Sequence, residues 1–442
     1  MWDILGEGLR LRFAAFILVL SGIAVAVWAA PPSEVPAARA NGNGVASCAA
    51  AGCHGGGEVG NKFSEQSTWA SGDPHAKAYR VLYNDESATI SRNLKRSMPA
   101  WQDKSCLACH TSGSDECMTE FKSDGVGCDG CHGASQKWIA KHYEPGWKTL
   151  SDSDKSALGF RDTKSLVSRI TACASCHIGD AGRDVNHDLI AAGHPRLAFE
   201  YTRFHFQPNY TKHWKETLPN RDFEVRAWMI GQLVNLRAAL NTTKVHADAK
   251  WPDFSEQSCF ACHQSLKNKL NATNSVAEWQ AWNLAMLEVI SANATAIFPG
   301  APPLPLDHIR QMQTDANSPS ATAKLMAGYS RTIPLEIDAW LAAVNTIEHE
   351  QPLRTISDET LLKLAHAIAA SGANAVSDWD AAAPHYLALA ALHHADPKLF
   401  ATWLPTLTEL RKTLKYKDGY NSPVDYDART AKDLFDRLGT LR

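Results

Sequence analysis

Apolar side chains recur at helical spacing through the second half of the chain. Between residues 223 and 240 they repeat every three or four positions, which predicts one long helix. The stripe consists of Val225, Trp228, Met229, Leu236 and Leu240. Such a stripe requires a partner surface, so this helix is expected to pack inside a helical core.

Further helices are predicted beyond residue 265. In the segment 276–290, Trp279, Trp282, Met286 and Ile290 share one helical face. Ser357 is a candidate N-cap before a second apolar stripe, and an alanine-rich helix precedes a proline at position 397. Residues 266–442 contain no cysteine and are predicted to form an α-helical domain, whose histidines are interpreted as structural or solvent-facing.

The first residues show a different pattern. Arg10 and Arg12 precede an apolar run at 13–30, and a segment of prolines, alanines and glycines follows at 31–44. A basic start, an apolar run and small residues at its end are typical of a secretory signal. The run is also long enough for a retained membrane anchor. Both interpretations of residues 1–30 place the chain after the 31–44 linker outside the cytoplasm.

Composition narrows the function classes. The chain has 442 residues, enough for two or three domains, and its net charge of −3 leaves no basic excess for binding nucleic acid. It contains 14 tryptophans and 18 histidines, residue types that pack against or ligate a large flat cofactor. Eleven cysteines in an exported chain would first suggest disulfides. Ten of them instead fall into five pairs, each directly before a histidine.

Four of the pairs have the pattern Cys-x-x-Cys-His, and one has a longer gap. They are Cys48, Cys53 and His54; Cys106, Cys109 and His110; Cys128, Cys131 and His132; Cys173, Cys176 and His177; and Cys259, Cys262 and His263.

This spacing is that of covalent haem c attachment. Two thiols add across the vinyl groups on one edge of the porphyrin, and the next residue places an imidazole under the iron. A two-residue gap on one helical turn satisfies both requirements. Zinc also binds Cys-x-x-Cys pairs, but zinc sites seldom require a histidine directly after the second cysteine. The sequence therefore predicts five covalently bound haem c groups, each with a proximal histidine.

Two details depart from the pattern. The first site, CAAAGCH, has a four-residue gap, which looping out of the backbone and the glycines after His54 are expected to accommodate. Cys117 belongs to no pair. It is interpreted as a buried thiol, with a reactive role as the alternative.

Each iron has a second axial position, which a histidine, a methionine or no residue can occupy. The candidate distal ligands are His75, His142, His187, His194 and His213, with a surface or capping role as the alternative for each. His142 lies ten residues beyond His132, which is about 15 Å along a helix. One helix therefore cannot supply both ligands of one iron, and His142 is predicted to bind a different haem.

The motifs resemble the multihaem c-type cytochrome family typified by the tetrahaem electron acceptor of hydroxylamine oxidoreductase (cytochrome c-552/c-554 type). The resemblance covers residues 45–215 and is carried by the stretches SCAAAGCHGG, SGDPHAKAY, SCLACH, GVGCDGCHG with WIAKHY, CASCH, and AGHPRLAFE.

The resemblance implies that His75 and His142 are distal ligands of haems other than those attached beside them. It also implies that His213 or His194 ligates the fourth haem. The type member leaves its second haem, which corresponds to the one on His110, five-coordinate. This chain departs from the family in its fifth site, its additional histidines and its long C-terminal region.

The predicted fold is mainly α. Residues 45–265 are expected to form a pentahaem cytochrome c domain, in which short helices and loops surround stacked haems. Residues 266–442 follow as a helical domain without haem.

The predicted function is electron transfer by an exported pentahaem cytochrome, periplasmic or otherwise extracytoplasmic. Its expected partners are redox proteins or a membrane electron-transfer complex. One alternative is an oxidoreductase that acts on a small nitrogen or sulfur compound at a five-coordinate haem. Another is a subunit of a cytochrome filament or membrane redox complex.

Overall fold

The computed structural model describes residues 43–113, 117, 119–206, 213–214, 220–263, 278–350, 355–416 and 423–441. Within these ranges the chain is mainly α-helical, which confirms the predicted fold class. The described residues form two isolated β-bridges and no β-strand. The predicted signal or anchor at residues 1–30 lies outside the described residues.

Short helices joined by turns and 3₁₀ segments make up the part of the chain before residue 214. Its α-helices are α1 (Glu65–Gly72), α2 (Asp85–Asn93), α3 (Lys104–His110), α4 (Cys128–His132), α5 (Asp152–Ala157), α6 (Leu166–His177), α7 (His187–Ala191) and α8 (Tyr201–His205).

Ten further helices follow in the described residues, most of them longer. They are α9 (Asn220–Ala249), α10 (Cys259–Cys262), α11 (Ala281–Leu284), α12 (Leu287–Ile297), α13 (Leu306–Ala316), α14 (Ala323–Glu350), α15 (Asp358–Ala375), α16 (Trp379–Ala395), α17 (Leu404–Leu414) and α18 (Ala428–Leu438).

Helix α9 lies at the centre of a large apolar core. It packs against α14, α16 and α6, and the apolar stripe predicted for it is buried, with Trp228 and Met229 fully inaccessible. Burying an apolar side chain of this size contributes about 1.5–3 kcal/mol. Because α6 also contributes Leu166 and Ile170, the core extends from the cysteine-containing region into the C-terminal helices.

The helix predicted at 276–290 is interrupted. Gln280 adopts a left-handed conformation (φ 53°), so helix α11 begins only at Ala281, and α12 follows as a separate element from Leu287. The cause is tertiary: the Gln280 N–H donates to the Glu256 carbonyl at 2.7 Å, and the Trp279 N–H donates to Asn317 Oδ1 at 2.9 Å. Trp279 and Trp282 are nevertheless buried, as the stripe predicts.

The predicted cap of α15 is confirmed. The Ser357 hydroxyl accepts a hydrogen bond from the Thr360 N–H at 3.2 Å, and α15 begins at the next residue, Asp358. The alanine-rich helix is confirmed as α16, which starts at Trp379 behind the N-cap Asp378. Side-chain caps of this kind contribute about 1 kcal/mol each.

The region before residue 214 has little apolar core of its own. Its separate buried cluster consists of Tyr79, Leu82, Ala100 and Leu107. Gly133, directly after the third attachment motif, has φ 81° and lies so close to the Gly159 carbonyl that a Cβ would be 2.1 Å from that oxygen. The chain at Gly159 can therefore cross directly behind this motif only because residue 133 is glycine.

Candidate functional site

The attachment motifs form helical turns. The second motif ends α3, the third forms α4, the fourth ends α6, and the fifth forms α10 with His263 as its C-cap. The first motif begins in a 3₁₀ segment, Val45–Cys48, and then loops so that Cys53 N–H donates to the Ala50 carbonyl at 2.8 Å. None of the eleven cysteines forms a disulfide, and Cys117 is buried.

Thiols from different motifs lie beside one another. A hydrogen bond between Cys48 and Cys128 lowers the pKa of Cys48 and raises that of Cys128. The first motif is therefore adjacent to the third.

A second thiol pair joins the second and fourth motifs. Its hydrogen bond lowers the pKa of Cys176 to about 6 and raises that of Cys109. Burial, with a contribution from the nearby Cys131, raises the pKa of Cys173 to about 12, so the third and fourth motifs are also neighbours.

The fifth motif lies against the C-terminal helices. Its Cys259 N–H donates to Asp380 Oδ2 at 2.7 Å, and Phe260 makes an edge contact with Tyr426 at 5.4 Å between ring centroids. Asp380 belongs to α16, which is far from this motif in sequence. Residues beyond 265 therefore support an attachment motif, although they contain none.

Two of the candidate distal histidines face proximal histidines of other motifs. His142 lies opposite His54 of the first motif, with ring centroids 6.3 Å apart and ring planes 18° apart. His75 lies edge-on to His177 of the fourth motif, with centroids 5.9 Å apart. In both pairs the candidate distal histidine belongs to a different segment of the chain from the motif whose proximal histidine it faces.

Two further pairs are close enough to interact electrostatically. Burial lowers the pKa of His110, and the nearby His194 lowers it further. Burial lowers the pKa of His132 to about 4, with a contribution from His213. His194 and His213 thus lie near the second and third motifs, whereas the histidine beside His177 of the fourth motif is His75.

Backbone carbonyls fix the tautomer of several of these rings. Nδ1 lies 2.7 Å from the Ala78 carbonyl in His110, 2.6 Å from the Ile139 carbonyl in His142, and 2.8 Å from the Pro195 carbonyl in His194. A carbonyl can only accept, so Nδ1 carries the proton and the lone pair of the neutral ring is on Nε2. Ligating histidines are held by other groups in this way in most protein metal sites.

Carboxylates hold two more rings. His54 Nδ1 lies 3.1 Å from Glu65 Oε2, and His75 Nδ1 lies 3.0 Å from Asp73 Oδ1. An ionised carboxylate accepts the Nδ1 proton and again directs the ring lone pair to Nε2. Neither acid is among the site residues predicted from the sequence. Asp73 could have been found from its position two residues before His75, whereas no local signal marks Glu65.

His187 has a different environment. Its backbone N–H donates to Asp253 Oδ1 at 3.1 Å, and its ring contacts Phe254 edge-on at 5.7 Å. Both partners precede the fifth motif by a few residues. His187 is therefore held against the segment that leads to Cys259.

Other histidines use their nitrogens for protein contacts. His385 Nδ1 lies 2.7 Å from the Ala381 carbonyl, and its Nε2 lies 2.8 Å from the Ser371 hydroxyl. His246 lies between Glu256 and Asp184, with one carboxylate on each nitrogen. These arrangements occupy both ring nitrogens of each residue, as expected for structural histidines.

The surroundings of the third motif fit a large polar-edged cofactor. The Trp138 indole N–H and the Ser135 hydroxyl are buried there without a hydrogen-bond partner among the described residues. Trp138 and Phe160 form an aromatic wall beside the motif, and Phe160 stacks on His132 at 6.5 Å. Buried donors without partners are costly in a finished protein, so a bound group with acceptor atoms is expected at this place.

Helical turns that end in Cys-x-x-Cys-His, with further imidazoles opposite, are the pattern of a c-type cytochrome, an electron carrier with covalently bound haem c. Comparison with protein families makes the assignment specific. Residues 47–133, which contain the first three motifs, match the family described as cytochrome c554 and c-prime. The match supports membership of a multihaem c-type cytochrome family. No curated protein and no solved structure matches the chain.

Cytochromes of this kind are usually exported. In the part of the chain that the structure describes, no helix is both long and apolar enough to cross a membrane.

Proposed function

We propose that this protein is an exported pentahaem c-type cytochrome that transfers electrons between redox proteins or to a membrane electron-transfer complex. The ten paired cysteines would attach the haems, and the histidine after each pair would be the proximal ligand. Haem c supplies reversible one-electron chemistry once bound. The observation that carries the proposal is the spacing of His142 from His54 and of His75 from His177.

The two measured separations suit an iron between two imidazoles. A ligating imidazole nitrogen lies about 2 Å from a first-row metal, and the ring centroid lies about 1 Å behind that nitrogen. Two rings on opposite sides of one iron therefore have centroids about 6 Å apart. The observed values are 6.3 Å and 5.9 Å. This agreement favours His142 as the distal ligand at the first motif and His75 at the fourth.

Distal ligands for the other three motifs are proposed from the histidines that lie nearest to them. His194 near His110 and His213 near His132 favour bis-histidine ligation at the second and third motifs. His187, held against the segment before Cys259, is then the distal candidate for the fifth. Six-coordinate iron at every motif suits a carrier, because its coordination does not change when it is reduced.

The order of neighbouring motifs suits stepwise electron transfer. The thiol contacts give the order first, third, fourth, second. The fifth motif lies next to the second. His194 is near His110 of the second motif, and Arg196, two residues further on, contacts Asp380, which is bonded to Cys259 of the fifth. Two residues span at most about 7 Å. We infer that electrons enter or leave at the first and fifth motifs.

Electron paramagnetic resonance of the oxidised protein, combined with intact mass, tests the proposal. Five attached haems with only low-spin signals are expected. A high-spin signal would instead favour an enzyme with an open iron. A count of four would show that one of the five motifs carries no haem.

A further inference from the structure

The fifth attachment motif is bonded to a buried ion pair. Asp380 accepts the Cys259 backbone N–H through Oδ2 and contacts the Arg196 guanidinium through Oδ1. The Asp380 side chain is fully buried, and the Arg196 side chain is 17% exposed. Two opposite charges therefore lie next to the first cysteine of this motif, where little water screens them.

The backbone around the motif is fixed from the same side. Ser258 N–H donates to the Glu278 carbonyl at 3.0 Å, and Gln280 N–H donates to the Glu256 carbonyl at 2.7 Å. Together with the contact to α16, these bonds hold the motif between residues 278–280 and the start of that helix. The motif has little freedom to move away from Asp380.

A buried ion pair is weak support for stability alone, because desolvation offsets much of the attraction. Its effect on a neighbouring redox centre is direct. Reduction adds one negative charge to the centre, so a nearby carboxylate disfavours reduction and a nearby guanidinium favours it. Each charge acts more strongly in a buried site than in water.

We propose that Asp380 and Arg196 are positioning residues for the fifth haem, and that their opposite charges set its midpoint potential. The inference rests on the proposed function, since it requires a haem at Cys259 and Cys262. It assigns a role to α16 that the attachment motifs do not suggest. The C-terminal helices would then tune one redox centre while binding none.

Potentiometric titration of three variants tests this inference. Asp380→Asn removes the negative charge and should raise the midpoint of the fifth haem. Arg196→Gln removes the positive charge and should lower it. The double variant loses both charges and should lie between the two. The transition that belongs to the fifth haem is identified by its loss in a variant with Cys259→Ala and Cys262→Ala.

Glu224→Gln is the matched control. Glu224 is also a buried acid with a basic partner, His394, but it lies on α9 and contacts no attachment motif in the described structure. It should lower thermal stability without moving any of the five midpoints. If one single variant fails to fold, the other and the double variant still measure the sign of the shift.

The outcomes separate the two proposals. Opposite shifts of the fifth transition alone would support the inference. Five haems with an unmoved fifth transition, or shifts of the same sign in both single variants, would overturn it and leave the pentahaem proposal standing. A wild-type chain with no haem at Cys259 and Cys262 would overturn both.

Discussion

At the residue scale, several histidines of this chain fall into two kinds, according to whether one or both ring nitrogens are hydrogen-bonded to the protein. His110, His142 and His194 place Nδ1 on a backbone carbonyl, which directs the ring lone pair to Nε2. His246 and His385 have partners on both nitrogens. A histidine of the first kind can still bind iron, whereas one of the second kind would first have to break a hydrogen bond.

The substitution His142→Ala tests ligation across motifs. Because His142 faces His54, the haem on the first motif should lose its distal ligand, while the haem on His132 stays six-coordinate. One haem of the five should become high-spin in the paramagnetic resonance spectrum, with five haems still attached. His308→Ala is the control, because His308 is paired with Glu336 in the C-terminal region and should leave the spectrum unchanged. An unaltered spectrum in His142→Ala would contradict the assignment.

The pH dependence of stability is expected to report His246. Burial lowers its pKa, but the hydrogen bonds to Asp184 and Glu256 outweigh burial and raise it to about 10. Because the pKa is raised in the folded state, the protonated ring stabilises the fold fully at pH values below 6.5, the ordinary pKa of histidine. This contribution is lost as the pH rises through about 10. Thermal unfolding midpoints should fall over this alkaline range.

The variant His246→Gln removes the cation and leaves two carboxylates facing each other. Loss of one partner from a buried pair costs about 3–5 kcal/mol. The variant should therefore be less stable at neutral pH and should show a flatter alkaline decline than the wild type. Equal alkaline declines in both proteins would show that another group titrates.

At the element scale, helices α15 and α16 pack together and bury the side chain of His385 between them. The ring is 1% exposed and lies between the Ser371 hydroxyl and the Ala381 carbonyl, so it has no surface to offer to iron. The contact links the two helices through their polar atoms. In the described structure His385 is therefore not available as an axial ligand.

His385→Ala should lower stability without changing any haem spectrum. Removing a buried hydrogen-bonding group costs about 1–3 kcal/mol. Burial lowers the pKa of His385 to about 4, so the native state favours the neutral ring, and stability should fall as the pH drops from 6.5 towards 4. Urea unfolding at pH 7 and pH 5 would measure both effects. A new high-spin signal in this variant would contradict the structural role.

At the scale of the whole molecule, the cysteine-containing region and the C-terminal helices are joined by one apolar core. Helix α6 carries the fourth motif at its end and buries Ile170 against α9, which in turn packs on α14. The fifth motif is bonded to α16. Two of the five motifs therefore depend on packing that residues beyond 265 provide.

Haem stoichiometry tests the motif that departs most from the common spacing. The double variant with Cys48→Ala and Cys53→Ala should lower the covalent haem count from five to four, because neither thioether link of the first motif can form. Intact mass and the pyridine haemochrome assay should agree. Cys117→Ala is the control, since Cys117 is buried outside any motif and should leave the count at five. An unchanged count in the Cys48→Ala and Cys53→Ala double variant would exclude this site.

The sequence predicts helices well where a stripe faces one core, as in α9 and α15. It fails at Gln280, where a left-handed residue hydrogen-bonded to Glu256 delays the start of the helix although the apolar stripe continues through it. The attachment motifs are visible because covalent chemistry fixes their spacing. The contacts of His142 with His54, and of Asp380 with Cys259, join residues far apart in sequence. No local pattern could indicate these contacts, because folding alone brings the residues together.

The contacts between thiols of different motifs have a consequence for biogenesis. A chain that folds before its haems are attached would hold Cys48 against Cys128, and Cys109 against Cys176. In an oxidising compartment each pair would lose two protons and two electrons to the resident thiol oxidant and close a disulfide that links two motifs. Attachment must therefore precede compaction of this region. Peptide mapping of chain exported without haem supply should reveal these two cross-links, and disulfides within single motifs instead would show that compaction comes later.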